Sequence, residues 1–185
     1  MQLALAAVVK VLQSKMSSIY KINRSRGENM ATAYMESPVG LLEVQCTEGG
    51  LRSVNFVDNK QYEENPNGYN QLTISQLTEY FDGKRTSFDI PFDLEGTDFQ
   101  KRVWAELLKI PFGKTRSYME QARALGDTKA IRAVGTANGQ NKIAIIIPCH
   151  RVIGSDGSLT GYAGGLHRKK WLLEFETPPI QGALF

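Results

Sequence analysis

A run of apolar residues, Ile143-Ala144-Ile145-Ile146-Ile147, empties directly into Pro148-Cys149-His150-Arg151-Val152, and Ile153-Gly154-Ser155-Asp156-Gly157 follows. No other stretch constrains the chain so strongly. A short apolar run bounded by turn residues predicts a buried strand. Here that strand would deliver a cysteine to a turn, with an imidazole beside it and a guanidinium after that. A thiol is a strong nucleophile only as thiolate, and cationic or basic neighbours favour that form. A lone cysteine on an apolar strand is more often inert core, so the flanking sequence has to decide.

The chain of 185 residues suits one large or two small domains, each able to bury a core. No run approaches the roughly 18 apolar residues of a membrane helix. Two cysteines, Cys46 and Cys149, make no disulfide framework, and with two histidines there are four soft ligands at most. Cys149 and His150 are adjacent, so a structural zinc is not expected. The pattern suits a reducing compartment. Net charge is +3 but unevenly spread. Residues 31–96 carry four basic and eleven acidic side chains, and residues 97–185 carry thirteen basic and seven acidic. A basic half beside an acidic half fits a C-terminal part that meets a polyanion, although an ordinary solvated surface would look the same.

Residues 1–29 read as an extension. Leu5, Val8, Val9, Leu12 and Met16 recur at helical spacing, and no acidic residue precedes Glu28, as in a transit peptide. A disordered extension or an upstream start codon, with Met30 as the native start, is the preferred reading. Residues 30–95 form the first domain. Strands are predicted at Ala31–Ser37, Leu41–Thr47 and Leu51–Val57, then a polar loop over 58–69. A helix over Gln71–Asp82 follows, with Leu72, Leu77, Tyr80 and Phe81 near one face, and then a strand at Ser87–Phe92. Cys46 reads as a small buried hydrophobe. This domain shows no chemistry and reads as a scaffold.

Residues 96–180 read as a helical domain, with 181–185 as a tail. Thr97-x-x-Gln100 is a capping box for a helix carrying Phe99, Val103, Trp104, Leu107 and Leu108 as core. Ser117-x-x-Glu120 opens a second helix that Gly126 ends. Asp127 or Thr128 caps a third, running to about Asn138. Two short helices across a Gly-containing turn read as a helix-turn-helix. A fourth helix is predicted over Leu166–Glu176, stopped by Pro178-Pro179.

From Phe99 to Glu176 the sequence resembles the O6-alkylguanine-DNA alkyltransferases. The shared series is Phe99-Gln100, Val103-Trp104, Ile110-Pro111-Phe112-Gly113, Thr115-Arg116-Ser117-Tyr118, Arg132-Ala133-Val134-Gly135, Ala137-Asn138-Gly139-Gln140-Asn141 and the Pro-Cys-His-Arg-Val core. It closes with Gly161-Tyr162-Ala163-Gly164-Gly165, Lys169, Leu172-Leu173 and Glu176. The resemblance implies an α/β protein in which a ribonuclease-H-like, strand-rich N-terminal domain supports a winged-helix-like C-terminal domain with a helix-turn-helix.

It also implies direct reversal of DNA damage. An alkyl group passes from O6 of guanine, or from O4 of thymine, to Cys149 in a single irreversible turnover, with no cofactor. By resemblance His150 is the base, Glu176 the carboxylate behind it, Asn141 a member of the same network and Tyr118 the donor to the departing guanine. Val152, Tyr162 and Ala163 would bind the base. Arg132 would fill the gap left by the flipped nucleotide. Ala133, Gly135, Ser117, Thr128 and Arg151 would meet DNA. Small residues around Arg132 fit minor-groove docking with little sequence preference. Two departures stand out: Lys142 where many relatives have proline, and Ala163 where many have serine. The implied protein is a monomer on double-stranded DNA, away from membranes, cytoplasmic or nuclear. Two rivals are a lesion-binding module like the alkyltransferase-like proteins, against which Cys149 argues, and a cysteine hydrolase, which would turn over.

Overall fold

The computed structural model describes residues 30–177. The expected extension, the stop at Pro178-Pro179 and the tail lie outside the described residues. The first half is an antiparallel meander, β1 (Ala31–Met35), β2 (Leu42–Thr47) and β3 (Gly50–Phe56), in that spatial order. Val44 stands opposite Ala33 on one side and Val54 on the other. Leu42, Val44, Cys46, Leu51 and Val54 are wholly buried, and they pack against Leu77 and Tyr80 of α1 (Gly68–Phe81).

Helix α1 starts three residues before the expected Gln71 because Asn67 caps it. The Asn67 side chain accepts from the amides of Tyr69 and Asn70, and the Asn70 side chain accepts from the Asn67 amide. This is a capping box written with two asparagines. Asn70 also donates to the carbonyls of Ala31 and Val44, so the cap pins the helix to the sheet.

Two expected strands are corrected. Ser87–Phe92 forms only a single parallel bridge, Phe92 to Leu51. The run 143–147 likewise makes one bridge, Ile143 to Val54, and then coils. Tight turns replace the ladder: the amide of Ile146 donates to Ala144 at 2.8 Å and that of Cys149 to Ile147 at 2.8 Å. Ile145 sits at φ 70°, a left-handed conformation that a β-branched residue rarely takes. The run is apolar because Ile143, Ile145 and Ile147 are fully buried, not because it is extended. Both segments add to β3, so the first sheet touches the second half beside Cys149.

The second half is helical: α2 (Asp98–Leu107), α3 (Tyr118–Ala124), α4 (Ile131–Gly139) and α5 (Leu166–Glu176). Both predicted capping boxes form, at Thr97/Gln100 and Ser117/Glu120. Asp127, not Thr128, caps the third element, a single 3-10 turn (Thr128–Ala130) leading into α4. Leu108, the C-cap residue of α2, is corrected from core to surface at 45% exposure, while its neighbour Leu107 takes the buried face. Trp104 donates to the Ala137 carbonyl at 2.8 Å, tying α2 to α4. The amides of Gln121 and Asn138 pair reciprocally, at 2.8 and 3.3 Å, tying α3 to α4. A pair of two-residue parallel strands, β4 (Arg116–Ser117) and β5 (Val152–Ile153), carries the chain out of the cysteine turn. One apolar core runs through both halves.

Candidate active site

Cys149 opens a 3-10 turn (Cys149–Arg151) where the coiled 143–148 segment ends. Its sulfur is nearly buried yet lines a cavity of about 100 Å³, together with Phe56, Asn141, Tyr162, Ala163 and Gly164. Asn141 organises the approach. Its Nδ2 donates to the Ile147 carbonyl at 2.8 Å and to the Cys149 sulfur at 3.3 Å, while its Oδ1 accepts from the Ile143 amide at 3.0 Å. One side chain thus satisfies the irregular backbone and touches the thiol. Burial pushes the pKa of the thiol up, and the bond from Asn141 and the charge of Lys169 only partly offset this. The resting group is therefore a thiol.

Behind the sulfur lies a buried relay. His150 is wholly inaccessible, and its Nε2 is 2.8 Å from Glu176 Oε1. A carboxylate can only accept, so Nε2 carries the proton and Nδ1 keeps a free lone pair. Among the described residues Nδ1 has no hydrogen-bond partner. Burial lowers the pKa of His150, which keeps the ring neutral near pH 7 despite Glu176. Glu176 is held by more than the histidine. Arg151 donates to Oε2 at 2.8 Å and to Oε1 at 2.9 Å, Tyr80 donates to Oε1 at 2.8 Å, and the Gly113 amide reaches Oε2 at 3.4 Å. Burial would raise the pKa of this carboxyl, but the bonds from His150 and Arg151 overcome it and hold it down at about 2.

A second buried cation ties the strand after the cysteine turn to the loop before α5. Lys169 Nζ donates to the carbonyls of Val152 at 2.6 Å and Thr160 at 2.9 Å. Burial lowers its pKa to about 8. The Tyr118 hydroxyl donates to the same Thr160 carbonyl at 3.0 Å. Arg168 ties the neighbouring turn down, donating to Gly164 and to Val39 and lying 4.8 Å over the Phe56 ring. A buried thiol beside a neutral histidine, with a carboxylate behind and a narrow cavity in front, can take up an electrophile small enough to enter.

The sequence matches two family profiles: the ribonuclease-like domain of 6-O-methylguanine DNA methyltransferase over residues 30–94, and its DNA binding domain over residues 98–178. A methylated-DNA–protein-cysteine methyltransferase of Methanosarcina barkeri is 49% identical over 148 residues, 77% of this chain and 94% of the relative. The chain belongs to the 6-O-methylguanine DNA methyltransferase family. A Mycobacterium leprae protein of the same description is 50% identical over 156 residues, covering 81% of this chain and 94% of its own. The crystal structure of Mycobacterium tuberculosis O6-methylguanine methyltransferase matches with a TM-score of 0.71 at 47% identity, over 80% of this chain and 93% of that one. Mycobacterium tuberculosis OGT in complex with DNA gives 0.72 at 47% identity, over 80% and 92% of the two chains.

Within this family fold, Cys149, Asn141, Tyr162 and Ala163 meet at the cavity, and His150 and Glu176 meet behind it. Tyr118 and Val152 join the group through Lys169 and Thr160. Arg132, Ala133 and Thr128 stand exposed on the helix-turn-helix. Ser117 caps α3, and Gly135 turns toward the Tyr118 ring, where an added Cβ would lie 3.8 Å away. The expectation that Arg151 meets DNA is corrected. It is 6% exposed, and its guanidinium donates inward to Glu176 and to the Ile110 carbonyl. A basic residue next to a nucleophile invites a phosphate contact, but here it balances a buried carboxylate. Sequence reasoning missed Tyr80 and gave Lys169 no role. A buried tyrosine usually needs a partner for its hydroxyl, and that was the available signal.

Proposed function

We propose that this protein repairs DNA by direct reversal, taking a methyl or other alkyl group from O6 of guanine onto Cys149 in one irreversible turnover. The observation that carries the reading is a cysteine sulfur at the floor of a small cavity, backed by His150 and Glu176, in a chain of this family. The flipped guanine enters beside Tyr162 and Ala163. The thiol proton passes to Nδ1 of His150 through one water, and Glu176 stabilises the imidazolium. The thiolate attacks the alkyl carbon. The S–C bond forms as the C–O6 bond breaks, and the electron pair goes to the guanine oxygen. Tyr118 exchanges its bond to Thr160 for the guanine ring and donates to it as charge builds. The proton held on His150 returns through water and Tyr118 to the guanine, which leaves as the neutral unmodified base, and the protein keeps a thioether, which has no easy route back.

The DNA partner is read through its minor groove. Arg132 enters the stack from the small-residue surface of α4, and Ala133 and Gly135 let the backbone come close. Ser117 and Thr128 contact the backbone phosphates. The protein acts as a monomer.

Intact-mass analysis after incubation with an O6-methylguanine duplex tests the reading. The expected result is the gain of one CH₂ per chain, mapped to Cys149 and absent from Cys149→Ser. Repeated turnover without an adduct would point to a hydrolase instead. A methyl group on Cys46 would also refute the assignment, since burial holds the pKa of that thiol up at about 11.

A further inference from the structure

The first domain reads from sequence as support only, yet one of its side chains reaches the relay. Tyr80 lies in the last turn of α1 and is fully buried. Its ring is packed by Phe81, Phe88, Phe112 and Phe175, with centroids 5.2, 5.5, 5.9 and 5.3 Å away. Its hydroxyl donates at 2.8 Å to Glu176 Oε1, the oxygen that also accepts from His150.

We propose that Tyr80 is a positioning residue for alkyl transfer, fixing the Glu176 carboxylate and sharing its charge so that the carboxylate does not over-stabilise a proton on His150. The proposal rests on the relay reading given above. A phenylalanine would satisfy the aromatic packing equally well. A buried hydroxyl is costly unless bonded, and here it bonds a carboxylate, the stronger kind of acceptor. Tyr80 itself does not ionise. Burial first, then the Glu176 charge, pushes its pKa far up. It therefore remains a donor at every working pH.

The other groups facing the relay come from every neighbouring element. Arg151 comes from the cysteine turn and bonds the same carboxylate. Lys169 of α5 acts on both His150 and Cys149 through its charge. Tyr162, from the loop before α5, faces Tyr80, Cys149 and Glu176, and burial pushes its own pKa up. Of these, only Tyr80 belongs to the first domain. The domain that lacks a nucleophile therefore sets the strength of the base.

The test is Tyr80→Phe in the full chain, with the single-turnover rate on a methylated duplex followed across pH. Losing one donor to a charged acceptor is expected to slow transfer about ten-fold. The midpoint of the rise in rate with pH should move to higher pH, because a less shared carboxylate holds the His150 proton more tightly. Phe88→Leu is the comparison. It loosens the same ring cluster without touching Glu176, and should lower thermal stability with the midpoint unmoved. A Tyr80→Phe protein with the wild-type rate and midpoint would overturn the proposal, as would a slower one whose midpoint stays put like that of Phe88→Leu. If the wild-type chain itself took up no methyl on Cys149, the relay reading would fall first, and this inference with it.

Discussion

Glu176→Gln should remove most of the folding stability that the buried relay supplies, and only where the carboxylate would be charged. Glu176 is 3% exposed and accepts from Tyr80, His150, Arg151 and Gly113. Its pKa is about 2, against an ordinary 4.5. At roughly 1.36 kcal/mol per pH unit, the charged form contributes on the order of 3 kcal/mol at neutral pH. A second route agrees. Breaking a buried ion pair and leaving Arg151 uncompensated costs roughly 3–5 kcal/mol.

The pH window follows from the direction of the shift. Below 4.5 the unfolded carboxyl takes up a proton, while the folded one resists until about pH 2. The unfolded state therefore binds more protons in that window, and wild-type stability falls as pH drops through it. The amide side chain of Glu176→Gln cannot titrate, so the gap between the two proteins should close there. His150 has a depressed pKa and costs stability as pH falls below 6.5, before the carboxylate window opens. The assay is urea unfolding of both proteins between about pH 7 and pH 2.5, read by the fluorescence of buried Trp104. A gap below about 1 kcal/mol at pH 7 would mean that the relay behaves like a surface pair and would sink this account. So would a gap that stays constant into acid.

Arg132→Ala should slow repair of duplex DNA about 10- to 100-fold, since holding a flipped base out is worth a few kcal/mol. The same variant should react nearly normally with free O6-benzylguanine; equal impairment on both, or full rescue of duplex repair at low salt, would make Arg132 an ordinary phosphate contact. Gly164→Ala would place a methyl 2.5 Å from the Phe56 ring and 2.8 Å from that of Tyr162, narrowing the cavity beside Cys149. Overpacking of this kind costs about 1–3 kcal/mol, and benzyl transfer should fall further than methyl transfer in a direct rate comparison.

What the sequence discloses depends on whether the deciding interaction is local. Capping boxes at Thr97 and Ser117 are complete within four residues, and both helices start where those signatures place them. Helix α5 runs from Leu166 to Glu176, as its sequence pattern indicates. The Asn67/Asn70 cap is equally local, but asparagine at the fourth position is an uncommon spelling, so apolar spacing alone starts α1 too late. The run 143–147 looks like a strand because apolar content reports burial, not extension. Its conformation is fixed by the Asn141 side chain, which satisfies two carbonyls and an amide there. Arg151 escapes a local reading for the same reason. Only the arrival of Glu176, twenty-five residues later, turns it inward.

The chemistry favours a cysteine that stays dormant. Thiols that turn over many times are usually kept as thiolates by nearby cations or helix ends. Cys149 is in the opposite state, its pKa pushed up by burial, with Asn141 and Lys169 offsetting that only in part. A protein that reacts once gains from this arrangement. A standing thiolate would be exposed to any passing oxidant or alkylating agent, and each alkylation would be permanent. In the proposed mechanism the thiol and His150 are both neutral at rest, and the proton moves only when an electrophilic carbon is already seated in the cavity. On that proposal the stabilisation would come from a group whose charges are paired in advance, Glu176 with Arg151 and Tyr80, so little would reorganise as the imidazolium forms. If Tyr80 positions Glu176 as proposed, the first domain is more than a support. The carboxylate behind the base is built jointly by both halves, and the cavity is walled by Phe56 of β3 as well as by the 162–164 turn.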